Sequence, residues 1–202
     1  MPNDLKKMND VTALVLAGGR GLRLQGRDKG LILLWGKPLI EHVLDRIADQ
    51  AEGTVISANR NSERYAKYGY PVLADALGQE WGPLAGVYTA LEFVDTEFLL
   101  VVPCDAPCLP AELCQRLLVP LEKGEFDVAM AHDGERAQFA IALIRCSLAP
   151  HLRGYLESGE RRMESWLRQQ RLVEVPFAEE AGAFANVNSP DDLESMEKRG
   201  GC

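Results

Sequence analysis

A glycine-rich, basic segment near the N-terminus could bind a polyphosphate. Gly18, Gly19, Gly21 and Gly26 lie in it, directly after an apolar run over Val11–Ala17. Glycine lets the backbone turn sharply and brings bare N–H groups close to an anion. The same segment is rich in cations although the formal net charge of the chain is -8: it holds Arg20, Arg23, Arg27 and Lys29. The segment is therefore predicted to cradle a polyphosphate.

Two common phosphate-binding motifs do not fit this segment. A Walker A loop needs Lys followed by Ser or Thr where the chain has Arg27-Asp28. A dinucleotide-binding fingerprint would need a third glycine where Leu24 stands. The second predicted strand also ends in Ala58-Asn59-Arg60, without the acidic residue that binds the ribose of a dinucleotide. These departures exclude a dinucleotide-dependent oxidoreductase.

Two aspartates follow apolar runs that resemble strands. Asp105 comes just after Phe98–Pro103, and Asp75 follows Val72-Leu73-Ala74. Ligands of open α/β sheets bind beyond the carboxyl ends of the strands. Magnesium, which accompanies nucleotide phosphates, takes one or two protein carboxylates plus phosphate oxygens. Asp105 is therefore the predicted metal ligand, with a helix cap as the alternative role.

The elements that must position these residues alternate between strands and helices. Continuous apolar runs, typical of strands buried on both faces of a mainly parallel sheet, predict strands over Val11–Ala17, Thr54–Ala58, Phe98–Pro103, Phe126–Ala131, Phe139–Ile144 and Leu172–Pro176. Apolar stripes and proline positions predict helices over Leu39–Gln50, Pro83–Phe93, Pro110–Leu121, Leu148–Glu157, Arg162–Gln169 and Pro190–Lys198. This alternation predicts an α/β fold: a three-layer α/β/α sandwich with a mainly parallel, Rossmann-like sheet.

Size and charge narrow the possible functions. The 202 residues suffice for one large domain, predicted over 11–202 after a polar N-terminal tail at 1–10. The acidic balance disfavours a nucleic-acid partner, which needs a basic face. No apolar stretch reaches the roughly 18 residues of a membrane span, and the N-terminal tail lacks the apolar core of a secretory signal. A cytoplasmic location without a membrane partner is expected.

The cysteines give no sign of a metal site or of a disulfide framework. The chain has five, an odd number: Cys104, Cys108, Cys114, Cys146 and Cys202. Cys104 and Cys108 have neither a second cysteine pair nor a nearby histidine, so zinc is not expected. The prediction is that the cysteines are small buried thiols.

Several motifs together resemble a known enzyme family. Leu16-Ala17-Gly18-Gly19-x-Gly21-x-Arg23 resembles the signature of nucleotidyltransferases that load nucleoside triphosphates onto phosphorylated acceptors. The continuation, Gly26-x-Asp28-Lys29-Gly30-Leu31 and then Gly36-Lys37-Pro38-Leu39-Ile40-Glu41-His42-Val43, resembles the molybdenum cofactor guanylyltransferase (MobA) family. Sugar nucleotidyltransferases usually have Pro before that lysine, where this chain has Asp28. The resemblance implies a nucleotidyltransferase version of the predicted fold.

Further matches follow in order and extend the resemblance from about Thr12 to Glu197. They are Ala58-Asn59-Arg60, Asp75, Gly82-Pro83-Leu84-Ala85-Gly86, Pro103-Cys104-Asp105-x-Pro107, His132-Asp133-Gly134-Glu135-Arg136, Gly159-Glu160-Arg161-Arg162 and Asn186-Val187-Asn188-Ser189-Pro190. Two positions depart from the family. Ser57 replaces an asparagine linked to the nucleotide, and Phe139 stands where the family tends to have Pro.

The resemblance implies roles for individual residues. The implied catalytic residues are Arg23, Lys29 and Asp105, and Asp105 is also the implied ligand of Mg²⁺. Nucleotide binding is implied for Leu16, Ala17, Gly18, Gly19, Gly21, Lys29, Ser57, Asp75 and Asp105. Pterin binding is implied for Asp133, Arg136, Asn186 and Asn188.

The implied reaction joins GMP from GTP to the terminal phosphate of molybdopterin and releases pyrophosphate. Molybdoenzyme-specific chaperones are possible further partners. We add the hypothesis that the Asp75 carboxylate accepts the N1 and N2 hydrogens of guanine, which adenine does not offer; a turn role before Gly78 is the alternative. Three other functions stay open: a cytidylyltransferase for the same pterin, a sugar-phosphate nucleotidyltransferase, and a non-catalytic nucleotide-binding scaffold for the cofactor.

Overall fold

The computed structural model describes residues 8–17, 20–21, 26–76 and 81–202 as alternating strands and helices. The strands are β1 (Met8–Leu16), β2 (Arg20–Gly21), β3 (Arg27–Asp28), β4 (Leu33–Leu34), β5 (Lys37–Pro38), β6 (Ala51–Ser57), β7 (Val72–Leu73), β8 (Phe98–Pro103), β9 (Val128–His132), β10 (Ala137–Arg145) and β11 (Leu172–Pro176). The helices are α1 (Leu39–Ile47), α2 (Ser62–Tyr65), α3 (Pro83–Phe93), α4 (Leu113–Glu122), α5 (Ala149–Glu157), α6 (Met163–Leu167) and α7 (Pro190–Arg199).

Seven strands form one mainly parallel sheet in the order β11-β9-β10-β8-β1-β6-β7. β1 pairs in parallel with β6 and β8, β6 with β7, and β9 with β11. β10 is the exception, because it runs antiparallel to both β8 and β9. The parallel strands therefore end at one edge of the sheet, and β10 begins at that edge. The predicted α/β class and mainly parallel sheet are confirmed.

Helices cover both faces of the sheet, which gives the predicted three layers. On one face, Val15 and Leu100 are fully buried in a cluster that includes residues of α1 and α4. On the other face, the alternate residues Leu14 and Val101 are buried with α3, α5 and α6. Both faces of β1 and β8 are thus apolar, which explains why these strands are continuous apolar runs.

A third, smaller cluster docks the C-terminal helix. Val187 and Met196 are buried against Ile32, Leu34 and Leu39, the segment that contains the β4–β5 hairpin. Ser189 caps α7 by accepting a hydrogen bond from the backbone N–H of Asp192 at 3.2 Å. This packing brings the segment just before α7 back to the β-sheet edge at Asp105.

The structure corrects two expectations. The first strand, predicted over Val11–Ala17, starts earlier, because β1 begins at Met8, which pairs with Ala51. The cysteines are not all buried thiols: Cys108 and Cys202 form a disulfide, with Cα atoms 5.1 Å apart and a sequence separation of 94. The docking of α7 creates this proximity, which the spacing of cysteines along the chain does not reveal. Cys104 and Cys114 are free and buried, as expected.

In the part of the chain that the structure describes, no helix combines the length and apolar character needed to cross a bilayer.

Candidate active site

One cavity of about 520 Å³ opens at the carboxyl edge of the sheet. Five of its lining residues were predicted for the site: Leu16, Lys29, Ser57, Asp75 and Asp105. Leu16 and Ser57 end β1 and β6, Asp75 follows β7, and Asp105 follows β8. The parallel sheet thus brings residues far apart in sequence to one ligand-sized space, at the place where α/β sheets bind ligands.

Lys29 and Asp105 are in direct contact at one end of this cavity. The Lys29 ammonium donates hydrogen bonds to Oδ2 of Asp105 and to Oδ1 of Asn188. The side chains of Lys29 and Asp105 are only 17% and 10% exposed. The backbone N–H of Val187 donates to the Asp105 carbonyl at 2.9 Å, so the 186–188 segment is held against the same loop.

Among the residues that the structure describes, two buried oxygens have no hydrogen-bond partner: Oδ1 of Asp105 and Oδ1 of Asn186. Buried polar atoms are nearly always satisfied, so an orphan carboxylate oxygen in a cavity points to a ligand. No group of three or more His, Cys, Asp and Glu side chains suited to a metal occurs among the residues described. A single carboxylate fits magnesium that reaches the site with a nucleotide, since phosphates and waters supply its other ligands.

Asp75 lies in the same cavity and is held by the end of β6. Its Oδ2 accepts from Nδ2 of Asn59 at 2.6 Å, and its backbone N–H donates to Oδ1 of Asn59 at 2.8 Å. The Ser57 hydroxyl donates to Oδ1 of Asp75 at 3.4 Å. Burial raises the pKa of the Asp75 carboxyl, and the hydrogen bonds from Asn59 and Ser57 offset part of that rise.

The N-terminus of α3 closes one wall of the cavity through its glycines. Gly82 has φ of +67°, and Pro83 occupies the first helical turn after it. Gly86 lies so close to β6 that a Cβ atom there would be 2.4 Å from Oγ of Ser57. The absence of a side chain at Gly86 therefore lets α3 pack against the cavity floor.

The predicted pterin residues Asp133 and Arg136 lie in the turn from β9 to β10. This turn shares the sheet edge with Asp105, because β9 is parallel to β8, but neither residue lines the cavity. Oδ1 of Asp133 accepts from the backbone N–H groups of Glu135 and Arg136, both at 2.8 Å, and Oδ2 accepts from Nε2 of Gln138. Asp133 thus already stabilises its own turn.

Hydrogen bonding also sets the ionisation of Asp133. Burial alone would raise the pKa of its carboxyl, but donation from the backbone N–H groups of Arg136 and Glu135 and from Gln138 brings that pKa below its usual value. The side chain of Arg136 is 72% exposed, and its Nε lies 3.7 Å from Oδ2 of Asp133. Arg136 is the member of this pair that is free to reach an anion.

Part of the predicted phosphate cradle lies outside the described residues, namely Gly18, Gly19 and Arg23. The flanking positions are described. Ala17 is buried, and its backbone N–H donates to the Ser57 carbonyl at 2.9 Å. Gly21 belongs to β2 and pairs with Arg27 of β3, which brings the chain back to Lys29.

Sequence reasoning missed several residues that line the cavity: Asn59, Arg60, Gly82, Pro83, Gly86, Phe139, Ala140 and Met163. Asn59, Gly82 and Gly86 belong to motifs that carried the family resemblance, and those motifs were the available signal. Phe139 and Ala140 reach the site because β10 begins at this edge, whereas the neighbouring strands end there. The direction of β10 was not predicted.

The chain is similar to known proteins over most of its length. A family model described as a MobA-like NTP transferase domain matches residues 13–175. Molybdenum cofactor guanylyltransferases of Shewanella sp. (strain ANA-3) and Shewanella sediminis are 42% and 41% identical over 186 residues, which is 92% of this chain and 94% and 95% of theirs. The crystal structure of molybdopterin-guanine dinucleotide biosynthesis protein A from Archaeoglobus fulgidus superposes with a TM-score of 0.77 at 26% identity, covering 93% of this chain and 97% of that one.

Proposed function

The chain belongs to the MobA-like NTP transferase family, and from that premise we propose that it transfers GMP from GTP to the terminal phosphate of molybdopterin, releasing pyrophosphate. The contact between Lys29 and Asp105, in the same cavity as Asp75, carries this proposal. The cavity thus contains a cation that can bind phosphates, a carboxylate that can bind a metal and a second carboxylate that can bind a base. The relatives with 41–42% identity are named for this activity.

The proposed acceptor needs no base from the protein. A phosphate monoester has a second pKa of about 6, so it is mostly a dianion at neutral pH and attacks without losing a proton. The difficulty is to bring one polyanion against another in a protein of net charge -8. The task of the site is therefore to neutralise charge and to align the attack on the α-phosphorus.

Lys29 is the cation of the described residues best placed for this task. Its ammonium already lies in the cavity, held by two oxygen acceptors, and it is mostly shielded from water. Charge interactions are stronger in such a site than in bulk water. We assign Lys29 to the triphosphate, together with Arg23 and the backbone N–H groups of Gly18, Gly19 and Gly21. Leu16 and Ala17 would position that loop.

Asp105 would hold a divalent metal, which nucleotidyltransferases generally use; Mg²⁺ is the proposed ion. The orphan Oδ1 of Asp105 supports this assignment, since it offers a hard oxygen ligand to which no group of the described residues donates a hydrogen bond. Bound magnesium would neutralise phosphate charge as a Lewis acid. Oδ2 of Asp105 meanwhile holds the ammonium of Lys29, so the same carboxylate orients the cation.

Asp75 would select the base and Asn186 and Asn188 would contact the pterin. The carboxylate of Asp75 can accept both guanine hydrogens at N1 and N2, and Ser57 and Asn59 hold it in place. The orphan Oδ1 of Asn186 and the bond from Lys29 to Asn188 support a place for the 186–188 segment beside the reacting phosphates. Asp133 would shape its turn while Arg136 reaches the anionic pterin.

A nucleotide comparison tests the proposal. The protein is incubated with magnesium, molybdopterin and each of the four nucleoside triphosphates in turn, and the dinucleotide and pyrophosphate are measured. The expected result is a guanine dinucleotide with an equal amount of pyrophosphate from GTP alone. A product from CTP would instead assign the cytidylyltransferase. Nucleotide binding without pyrophosphate release would identify a scaffold, and turnover only with a sugar phosphate would assign the sugar enzyme.

A further inference from the structure

Asp28, the residue before Lys29, accepts a hydrogen bond at each carboxylate oxygen from α2 or its N-cap residue. The Tyr65 hydroxyl donates to Oδ1 of Asp28, and Nδ2 of Asn61 donates to Oδ2 of Asp28 at 2.8 Å. Asn61 caps α2 in the left-handed region, with φ of +53°. Two neutral donors thus engage both oxygens of the Asp28 carboxylate.

Tyr65 is a rigid partner for this interaction. The residue is completely buried, and burial together with the hydrogen bond to Asp28 raises the pKa of its hydroxyl, which therefore stays protonated as a donor. Gly30 packs on the same hydroxyl: a Cβ atom there would lie 2.7 Å from Oη of Tyr65 and 3.4 Å from Sγ of Cys104. The backbone around Lys29 is thus fixed on one side by Asp28 and on the other by Gly30.

The same contacts connect the backbone beside Lys29 to the backbone beside Asp105, its ion-pair partner. Cys104, which Gly30 approaches, immediately precedes Asp105 in the chain. A lysine side chain is long and flexible, so a fixed backbone is needed to keep its ammonium at one point. Tyr65, Gly30 and Cys104 lie side by side and hold the two segments that meet at the salt bridge between Lys29 and Asp105.

We propose that Asp28 is a positioning residue: its hydrogen bonds with Tyr65 and Asn61 fix the backbone so that the Lys29 ammonium meets Asp105 and the substrate phosphates. The inference rests on the proposed function of Lys29. It assigns a role to the aspartate that stands where sugar nucleotidyltransferases usually have Pro. Asp28 contributes through the acceptor geometry of its carboxylate and does not contact the reacting atoms.

A donor–acceptor exchange tests this inference. Asp28→Asn replaces the charged carboxylate with a neutral amide and so weakens the charge-assisted hydrogen bonds from Tyr65 and Asn61; we therefore expect kcat to fall about ten- to a hundredfold, a cost typical of slight misplacement in an active site. The KM for GTP should change less than about threefold, since the pocket for the base is untouched. The double variant Asp28→Asn/Asn61→Asp again pairs an amide donor with a carboxylate acceptor, with the two groups exchanged between positions 28 and 61. Aspartate tolerates the left-handed conformation at 61. We expect its kcat to return to within about threefold of the parent.

Two results would overturn the inference. One is an unchanged kcat in Asp28→Asn; the other is a kcat that stays low in the double variant, because a carboxylate would then be needed at 28 itself. Tyr65→Phe removes only the other donor and should lower kcat in the same direction. Tyr68→Phe is the matched control, because Tyr68 does not line the cavity; its kcat should equal that of the parent.

Measuring Lys29→Ala in parallel separates the two proposals. If Lys29→Ala keeps normal turnover, the proposed role of Lys29 fails and the positioning role fails with it. If Lys29→Ala is inactive while Asp28→Asn is normal, only the positioning role fails. Thermal unfolding of every variant shows whether a lost rate reflects a lost fold, and the exchange variant retains its diagnostic value even if Asp28→Asn is unstable.

Discussion

The salt bridge between Lys29 and Asp105 engages one oxygen of the carboxylate and leaves the other, Oδ1, buried with no partner in the described part of the chain. One carboxylate can thus hold the ammonium while still offering a ligand position for a metal. A charge pair used only for stability would be expected to satisfy all its oxygens. This arrangement agrees with the proposed roles of Lys29 in phosphate binding and of Asp105 in metal binding.

Removal of either member of this pair should reduce turnover strongly. Loss of one electrostatic partner of a transition state costs on the order of 3 kcal/mol, so Lys29→Ala and Asp105→Ala should each lower kcat about a hundredfold or more. Steady-state pyrophosphate release with GTP measures the effect, and circular dichroism checks the fold. Near-normal rates for both variants would refute the mechanism.

Replacement of Asp75 should change the base preference. Asp75→Asn keeps the shape but replaces one acceptor oxygen with a donor, so the preference for GTP over ATP should fall by about tenfold or more. The ratio of kcat/KM for the two nucleotides is the measurement. Asp95→Asn is the control, since this exposed residue precedes β8 at the opposite edge of the sheet. An unchanged ratio in Asp75→Asn would remove Asp75 from base recognition.

Two helical glycines should respond in opposite ways to alanine. At Gly86 in α3 the new Cβ would be 2.4 Å from Oγ and 3.1 Å from Cβ of Ser57, so Gly86→Ala should lower the free energy of unfolding by about 1–3 kcal/mol. At Gly154 in α5 nothing lies within 4 Å, so Gly154→Ala should raise it by about 0.5–1 kcal/mol. Urea denaturation distinguishes the two. Equal effects would show that the close approach at Gly86 is absent.

The Cys108–Cys202 disulfide should stabilise the oxidised protein. It closes a loop of 94 residues, and the restriction of an unfolded chain by such a loop typically contributes about 2–4 kcal/mol. Cys202→Ser should lower the free energy of unfolding by that amount under oxidising conditions. With dithiothreitol present, the parent and the variant should unfold alike. A difference that persists in reductant would trace the effect to packing instead.

The pairing of Asp127 with Arg171 should make stability depend on acid pH. Nε and Nη2 of Arg171 donate to the two oxygens of Asp127 at 2.7 and 2.6 Å, which lowers the pKa of that carboxyl. A carboxyl with a lowered pKa in the folded state stabilises the fold above its ordinary pKa, and this contribution is lost as the pH falls. Asp127→Asn should therefore cost about 1 kcal/mol at neutral pH and almost nothing below about pH 2.

The measurement is the free energy of unfolding of the parent and Asp127→Asn across that pH range. Asp45→Asn is a suitable control, because Asp45 is an exposed carboxylate paired with Lys37 at the surface. It should change the free energy by less than about 0.5 kcal/mol at any pH. A constant deficit of Asp127→Asn from neutral to acid pH would contradict the linkage.

The elements that sequence predicts best here are those set by local pattern. Phe98–Pro103 and Leu172–Pro176 are strands with the predicted bounds, and Pro83–Phe93 is a helix with the predicted bounds. The short α2 was missed as an element, since four residues give no period to detect, whereas β7 lies in the apolar run Val72-Leu73-Ala74 that was recognised before Asp75. The placement of α2 is decided by contacts such as that of Tyr65 with Asp28.

The same distinction applies to the candidate site. Asp105 could be named from its residue type and its position after an apolar strand, and Lys29 from the basic, glycine-rich segment and the family resemblance. The hydrogen bond from Asn59 that holds Asp75 could not be predicted, because an asparagine has no preferred partner until the fold brings residues 59 and 75 together. The disulfide was hidden for the same reason: only the packing of α7 brings the chain end to the loop after Asp105.

The cavity is lined by residues from Leu16 to Met163, so it exists only when β1, β6, β8 and β10 have assembled. A nucleotide that fills it binds the native state and not the partly unfolded ones, and its binding free energy adds to global stability. At a free concentration of 100 times the Kd this amounts to about 2.7 kcal/mol. Susceptibility to proteolysis should then rise when nucleotide is scarce, so the supply of substrate would govern the lifetime of the protein as well as its rate.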